Sequence, residues 1–147
     1  MARFCITGTA TNNVNKTIIG LSGSAAVQPK IYHLILGPNS APTDSFADYA
    51  LRRYTSPGTS SSVTPQPIRQ PSPAPVSAAG QAHTVEPTYT SGADLLAFSI
   101  YSRATFQFQT DPEYGLETAV AANNGLGLLV TAVGSTQSVR ATIYFQE

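Results

Sequence analysis

The chain has 147 residues, with eight Lys and Arg against eight Asp and Glu, and only 11% of its residues are charged. That length fits one domain with its own core, and the sparse, cancelled charge leaves no electrostatic footprint for nucleic acid or an anionic membrane surface. So neutral a surface predicts protein partners, copies of the same chain among them.

The opening MARFCITGTATNN has no basic region followed by a long apolar run, and no window reaches the roughly 20 apolar residues of a membrane span; a product made soluble inside a cell is expected. Its first element is a strand, because Phe4 and Ile6 alternate with Arg3, Cys5 and Thr7. Cys5 is the single cysteine, which excludes an internal disulfide framework and a multi-cysteine zinc site. KTIIGLS and PKIYHLIL follow as short β-branched runs bounded by Gly, Pro, Asn and Ser. In TDSFADYALRRY, Thr43 is placed to cap a helix whose one face would carry Phe46, Tyr49, Ala50 and Arg53, so a helical turn running into a strand is expected there.

Between Tyr54 and Val85 the only formally charged side chain is Arg69, and Pro65, Pro67, Pro71, Pro73 and Pro75 fall close together. Proline fixes φ and has no amide donor, so residues 56–82 are expected as an extended loop or arm outside the core. Such an arm either lies free or runs along a neighbouring subunit. DLLAFSIYS, ATFQFQT and GLGLLVTAV are further strands, and SVRATIYFQE closes the chain with Val139, Ala141, Ile143 and Phe145 alternating with polar residues. About eight short strands without long alternating helices predict an all-β, antiparallel β-sandwich, with a jelly roll as the natural form.

The stretch ANNGLGLLV, residues 122–130, tests for a phosphate loop. A dinucleotide loop needs a third glycine where Val130 stands, and a P-loop needs a Lys that is missing. The stretch reads instead as a corner, with Asn124-Gly125 as a turn pair at positive φ and Gly127 at a bulge or close backbone approach. His83 and Glu86 form at most a two-ligand pair, short of the three or four that zinc takes. His33 sits among strand hydrophobes, Cys5 on a terminal strand has no activating partner, GLSGS is not a nucleophile elbow, and Asp111, Glu113 and Glu117 fall in a turn. Neither an enzyme, a cofactor, a metal nor a small-molecule substrate is therefore expected. Seven tyrosines without a tryptophan suit interface anchoring better than a sugar-stacking platform.

Taken in order, MARFCITGTATNNVNKTIIGL, PKIYHLILG, DYALRRYTSPGTSSSVTPQPI, HTVEPTYT, RATFQF, ANNGLGLLV and VRATIYFQE resemble small decoration, or cement, proteins of tailed bacteriophage capsids over nearly the whole chain. The resemblance implies a β-sandwich or jelly roll, a dimer or trimer, and a place on the outer face of the virion, made in the host cytoplasm. It implies binding to the major capsid protein at a symmetry axis, clamping neighbouring capsomers. None of these motifs is catalytic, and the proline run of residues 65–75 departs from the pattern, which leaves the path of the arm open. The pieces expected to touch the partner are the strand carrying Arg3 and Cys5, the arm carrying Pro65, Pro67, Arg69 and Pro71, and the loop carrying Asp111 and Tyr114, with Tyr54 and Arg69 as anchors. The other reading is a virion knob that binds a host receptor or glycan through exposed tyrosines. A hydrolase is disfavoured.

Overall fold

Alternation at the two chain ends produces the first layer of the core. In β1 (Arg3–Thr11) and β12 (Ser138–Gln146) the residues Phe4, Ile6, Val139, Ala141, Ile143 and Phe145 are all at most 1% exposed. The two strands pair antiparallel with Phe4 opposite Phe145 and Ile6 opposite Ile143, and the rings of Phe4 and Phe145 stack at 5.7 Å. Burial of each of the Phe, Ile and Val side chains contributes roughly 1.5–3 kcal/mol, and that of Ala141 less.

The computed structural model describes residues 1–147 as two antiparallel sheets packed face to face. Besides β1 and β12, the strands are β2 (Thr17–Ser22), β3 (Lys30–Pro38), β4 (Phe46–Ser56), β5 (Thr59–Val63), β6 (Gln66–Pro67), β7 (Ala78–Val85), β8 (Thr88–Tyr101), β9 (Phe106–Gln109), β10 (Leu116–Glu117) and β11 (Gly125–Val133). One 3-10 turn, Pro112–Tyr114, lies between β9 and β10. The first sheet runs β10-β3-β12-β1-β6, with β9 on β3 as well, and the second runs β5-β7-β2-β11-β4-β8. Ile19, Leu21, Leu51, Leu126, Leu128 and Val130 of the second sheet meet Leu34, Leu36 and the terminal strands of the first in one cluster. Phe98 of β8 and Phe106 of β9 stack at 3.6 Å and 4°, linking the second sheet to the first where the chain crosses between them.

The expected all-β sandwich is the fold observed. Three local expectations are corrected. Residues 46–56 form strand with no helical turn, because both edges of β4 are taken, by β11 and β8. Ladder pairing on both sides outweighs the cap signal at Thr43, and the period-two set Ala47, Tyr49 and Leu51 enters the core. The span 56–82 is not one loop: β5 and the start of β7 pair within it, since Ser, Thr, Ala and Gly can pack flat against one another. The strip without ladder is essentially Ile68–Ser77. Finally, Gly125 is a strand residue and Asn123, at φ 69°, takes the left-handed turn position.

Candidate docking face and hydroxyl pocket

The glycines of residues 125 and 127 make a bed for two tyrosines. A Cβ on Gly125 would stand 2.3 Å from Tyr54 Cζ, and one on Gly127 would stand 2.2 Å from the Tyr89 hydroxyl. Both rings lie across the outer face of the second sheet, in an edge-on contact at 5.9 Å. Tyr54 shares a hydrogen bond with Ser22 at 2.8 Å and Tyr89 one with Thr17 at 2.7 Å. Burial pushes the Tyr54 phenol up to about 12, against the smaller opposing effect of Ser22, and raises Tyr89 further. These hydroxyls are therefore neutral donors and acceptors, not bases.

His83 closes this cluster. Register breaks between β5 and β7, and Ala82 sits at φ 49°, so the strand bulges and turns His83 inward to 4% exposure. Burial lowers its pKa, with Glu86 opposing and Lys16 assisting, and Nδ1 has no hydrogen-bond partner. Lys16 bridges Glu86 at 2.8 Å and donates to the His83 carbonyl, while Glu86 also accepts from the Thr17 amide. Burial alone would raise the Glu86 carboxyl, but Lys16 and Thr17 outweigh it and hold the group below its ordinary range. Gly20, Ser22, Tyr54, Ser60, Ser62 and His83 line a hollow of about 360 Å³ whose wall includes no Asp, Glu, Lys or Arg. No three His, Cys, Asp or Glu side chains come together as a ligand set.

A second surface lies on the outside of the first sheet. Outward residues Cys5, Tyr144 and His33 are neighbours in register across β1, β12 and β3. The His33 and Tyr144 rings stack at 5.0 Å, Gln107 bonds His33 at 2.9 Å, and the Arg3 guanidinium sits 5.8 Å from the centre of the Tyr32 ring. Asp111 caps the 3-10 turn by accepting from the Glu113 amide, and Gln146 of β12 donates to the Pro112 carbonyl. That bond draws the turn over the sheet, leaving Tyr114 76% exposed.

The proline strip borders this face. Its start is fixed by β6 against β1 and by the Ile68 amide on the Arg3 carbonyl, and its end by Glu147, whose carboxylate accepts from the Val76 and Ser77 amides. At these ties the side chains of Ile68 and Val76 stay 45% and 56% exposed. Arg3, Ile68, Arg69 and Pro71 line an open hollow of about 720 Å³ beneath the strip.

Of the residues singled out from sequence, Arg3, Cys5, Asp111 and Tyr114 share the outer face of the first sheet, and Pro67, Arg69 and Pro71 lie along its β1 edge. Two do not fit that surface. Tyr54 is 2% exposed because it fills the glycine bed, and Pro65 is buried at the strand end, so neither is an outward anchor. Sequence reasoning missed Tyr89, Ser22 and Thr17. The available signal was the pair of glycines two apart in an apolar strand, which bares one patch of backbone to whatever large side chain lies over it. Against protein-family models, curated proteins and solved structures, the chain has no match.

Proposed function

We propose that this chain is a non-enzymatic structural protein of a tailed-phage virion, attached to the outer surface of the capsid lattice, where it clamps neighbouring copies of the major capsid protein. The strand orders support a jelly roll beneath the additions: β1-β12-β3-β9 faces β2-β11-β4-β8, with successive strands of these eight changing sheet at every step but β4 to β8. The observation that carries the reading is the proline strip. It is tied at both ends, exposed between them, and carries Val76 toward solvent. A segment already extended loses little further entropy when it docks, and repetition around a lattice axis turns weak contacts into avidity.

The test is co-sedimentation of the purified chain with shells. Replacing Pro71, Pro73 and Pro75 together by Ser should leave the melting temperature nearly unchanged and reduce shell occupancy. Full occupancy by the variant would move the contact off the strip, and no binding of the native chain to any shell would end the reading. A host-glycan-binding knob is the second reading, favoured by the uncharged, hydroxyl-lined hollow at His83. Neutral hexoses that protect His83 ring protons in titration by NMR would support that alternative.

A further inference from the structure

Half of the chain's formal charges are neutralised internally, in the pairs Lys16–Glu86, Lys30–Glu117, Arg52–Asp94 and Arg103–Asp44. Among the rest, Arg53 reaches the Glu117 carbonyl and Glu147 holds the Val76 and Ser77 amides. Arg140 lies toward the far end of β12, and Asp48 lies on the second sheet. Four charges remain, and they gather at one end of the first sheet. Arg3 and Arg69 line the hollow beneath the strip, while Asp111 and Glu113 belong to the 3-10 turn and its cap, which Gln146, the ladder partner of Arg3, holds over the same face. All four are exposed and none forms an ion pair within the chain. Beside them stand Tyr114 and Ile68, 76% and 45% exposed.

Both signs on one patch make the patch complementary to itself. The cationic groups rise from β1 and its edge, while the anionic groups sit on the turn between β9 and β10, both of which pair with β3, so the two signs are rooted two strands apart, although the Arg3 guanidinium leans over Tyr32 of β3. That separation suits pairing between chains, because a two-fold axis set between the two sides brings each cationic group against an anionic group twice. A partner of one sign would match only half of the patch; a second copy matches all of it. We propose that this end of the first sheet is the contact between two copies of the chain across a two-fold axis. Arg3 and Arg69 of one copy face Asp111 and Glu113 of the other, and Tyr114 and Ile68 pack between them. Such a pair sets two proline strips side by side; what that does for shell attachment rests on the proposed function, whereas the pairing itself does not.

Sedimentation of the full-length chain at low and high salt tests this, with two charge-reversed forms: Arg3→Glu with Arg69→Glu, and Asp111→Lys with Glu113→Lys. The native chain is expected to be a dimer that weakens as salt screens the contact. Each reversed form alone sets like charges face to face and should dimerise at least about tenfold more weakly. Mixed in equal amounts, the two forms should pair with each other as well as the native chain does, because every contact across the axis is again of opposite sign. A native monomer or trimer overturns the proposal, as does a reversed form that dimerises normally or a mixture of folded variants that fails to associate. If a reversed form does not melt like the native chain, Arg3→Gln with Arg69→Gln and Asp111→Asn with Glu113→Asn replace the pair; each should then dimerise weakly and without salt dependence, and normal dimerisation overturns the proposal equally. A monomer that still co-sediments with shells sinks the pairing and leaves the attachment reading intact, while a dimer that ignores shells does the reverse.

Discussion

Gly127→Ala is a one-carbon change with a traceable cost. The added Cβ would stand 2.2 Å from the Tyr89 hydroxyl oxygen and 3.0 Å from Tyr89 Cζ, and its nearest contacts are all atoms of that one side chain. Tyr89 must move by about 1 Å, which breaks its 2.7 Å bond to Thr17. Overpacking of this kind costs roughly 1–3 kcal/mol, and loss of a part-buried hydrogen bond adds about 1 kcal/mol. The stiffer unfolded chain returns about 0.4–1 kcal/mol, so the net loss is about 1–3.6 kcal/mol, centred a little above 2. Tyr89→Phe removes the clashing oxygen and the Thr17 bond together. In that background the remaining 3.0 Å contact needs only a few tenths of an ångström, and the same glycine substitution should cost about 1 kcal/mol or less. Urea unfolding of the four proteins reads the difference as midpoint shifts at a common slope, with a coupling of about 2 kcal/mol expected for side chains in contact. Equal costs in the two backgrounds, within about 0.5 kcal/mol, would refute the glycine bed and return Gly127 to a backbone role.

The remaining expectations are these. Phe98→Ala removes the ring stacked on Phe106 across the sheet crossing and should destabilise by about 2–3 kcal/mol in urea, less than a fully buried phenylalanine because both rings are half-buried. Acid should weaken the fold in two stages. The His83 pKa is lowered from 6.5, so the unfolded chain binds the proton first and stability falls as pH drops below 6.5 toward the folded value; His83→Gln should flatten that limb of a melting-temperature profile. The Glu86 pKa is lowered from 4.5, so its contribution is complete above 4.5 and is lost as pH falls through the folded value; a Glu86→Gln profile that still drops there would assign the loss elsewhere. Chelator, zinc, calcium or ATP should leave thermal melting curves superimposable, and a shift of several degrees with any of them would reveal a ligand site by mass action.

The terminal strands were legible because each is buried on one face only, so Phe4, Ile6, Ile143 and Phe145 print a period of two into the sequence. β4 was harder to read. Ala50 and Tyr54 are buried outside the central cluster that takes Ala47, Tyr49 and Leu51, and burial on both faces erases the alternation that separates strand from helix. Tyr54 was hidden too, since no pattern in β4 tells that its ring lies against Gly20 and Gly125 of neighbouring strands. β5 and β7 escaped notice because their Ser, Thr, Ala and Gly carry almost no hydrophobic signal. Their pairing is set by tertiary contacts such as the Gln81 side chain, which accepts from the Thr9 amide across the sandwich at 2.9 Å. Arg3, Cys5, Asp111 and Tyr114 were singled out on separate segments, and what brings them onto one face is a bond no sequence pattern announces, from Gln146 to the Pro112 carbonyl.

One strand edge explains why association should run through that charged end and not through the ladder. β8 is the longest strand, 14 residues, and pairs only with β4, so its other edge offers free amides and carbonyls. A long, flat, uncharged edge invites unlimited pairing with further chains. β8 is neither flat nor uncharged: Gly92 stands at φ 71°, and its register against β4 shifts between Leu51 and Arg52, Arg52 and Tyr54, and Tyr54 and Ser56. Asp94 is held on the strand by Arg52 through two contacts, at 2.5 and 3.2 Å. Irregularity and an ion pair thus blunt the edge toward its start, while Phe98 near its end turns toward Phe106 and the core. An incoming strand would have to follow the kinked backbone and take water from the partly exposed Arg52–Asp94 pair. The free charges at the end of the first sheet impose no such demand, since Arg3, Arg69, Asp111 and Glu113 form no ion pair within the chain. The end of the first sheet is therefore the cheaper place for a second chain to bind, and unlike strand addition it closes after two copies.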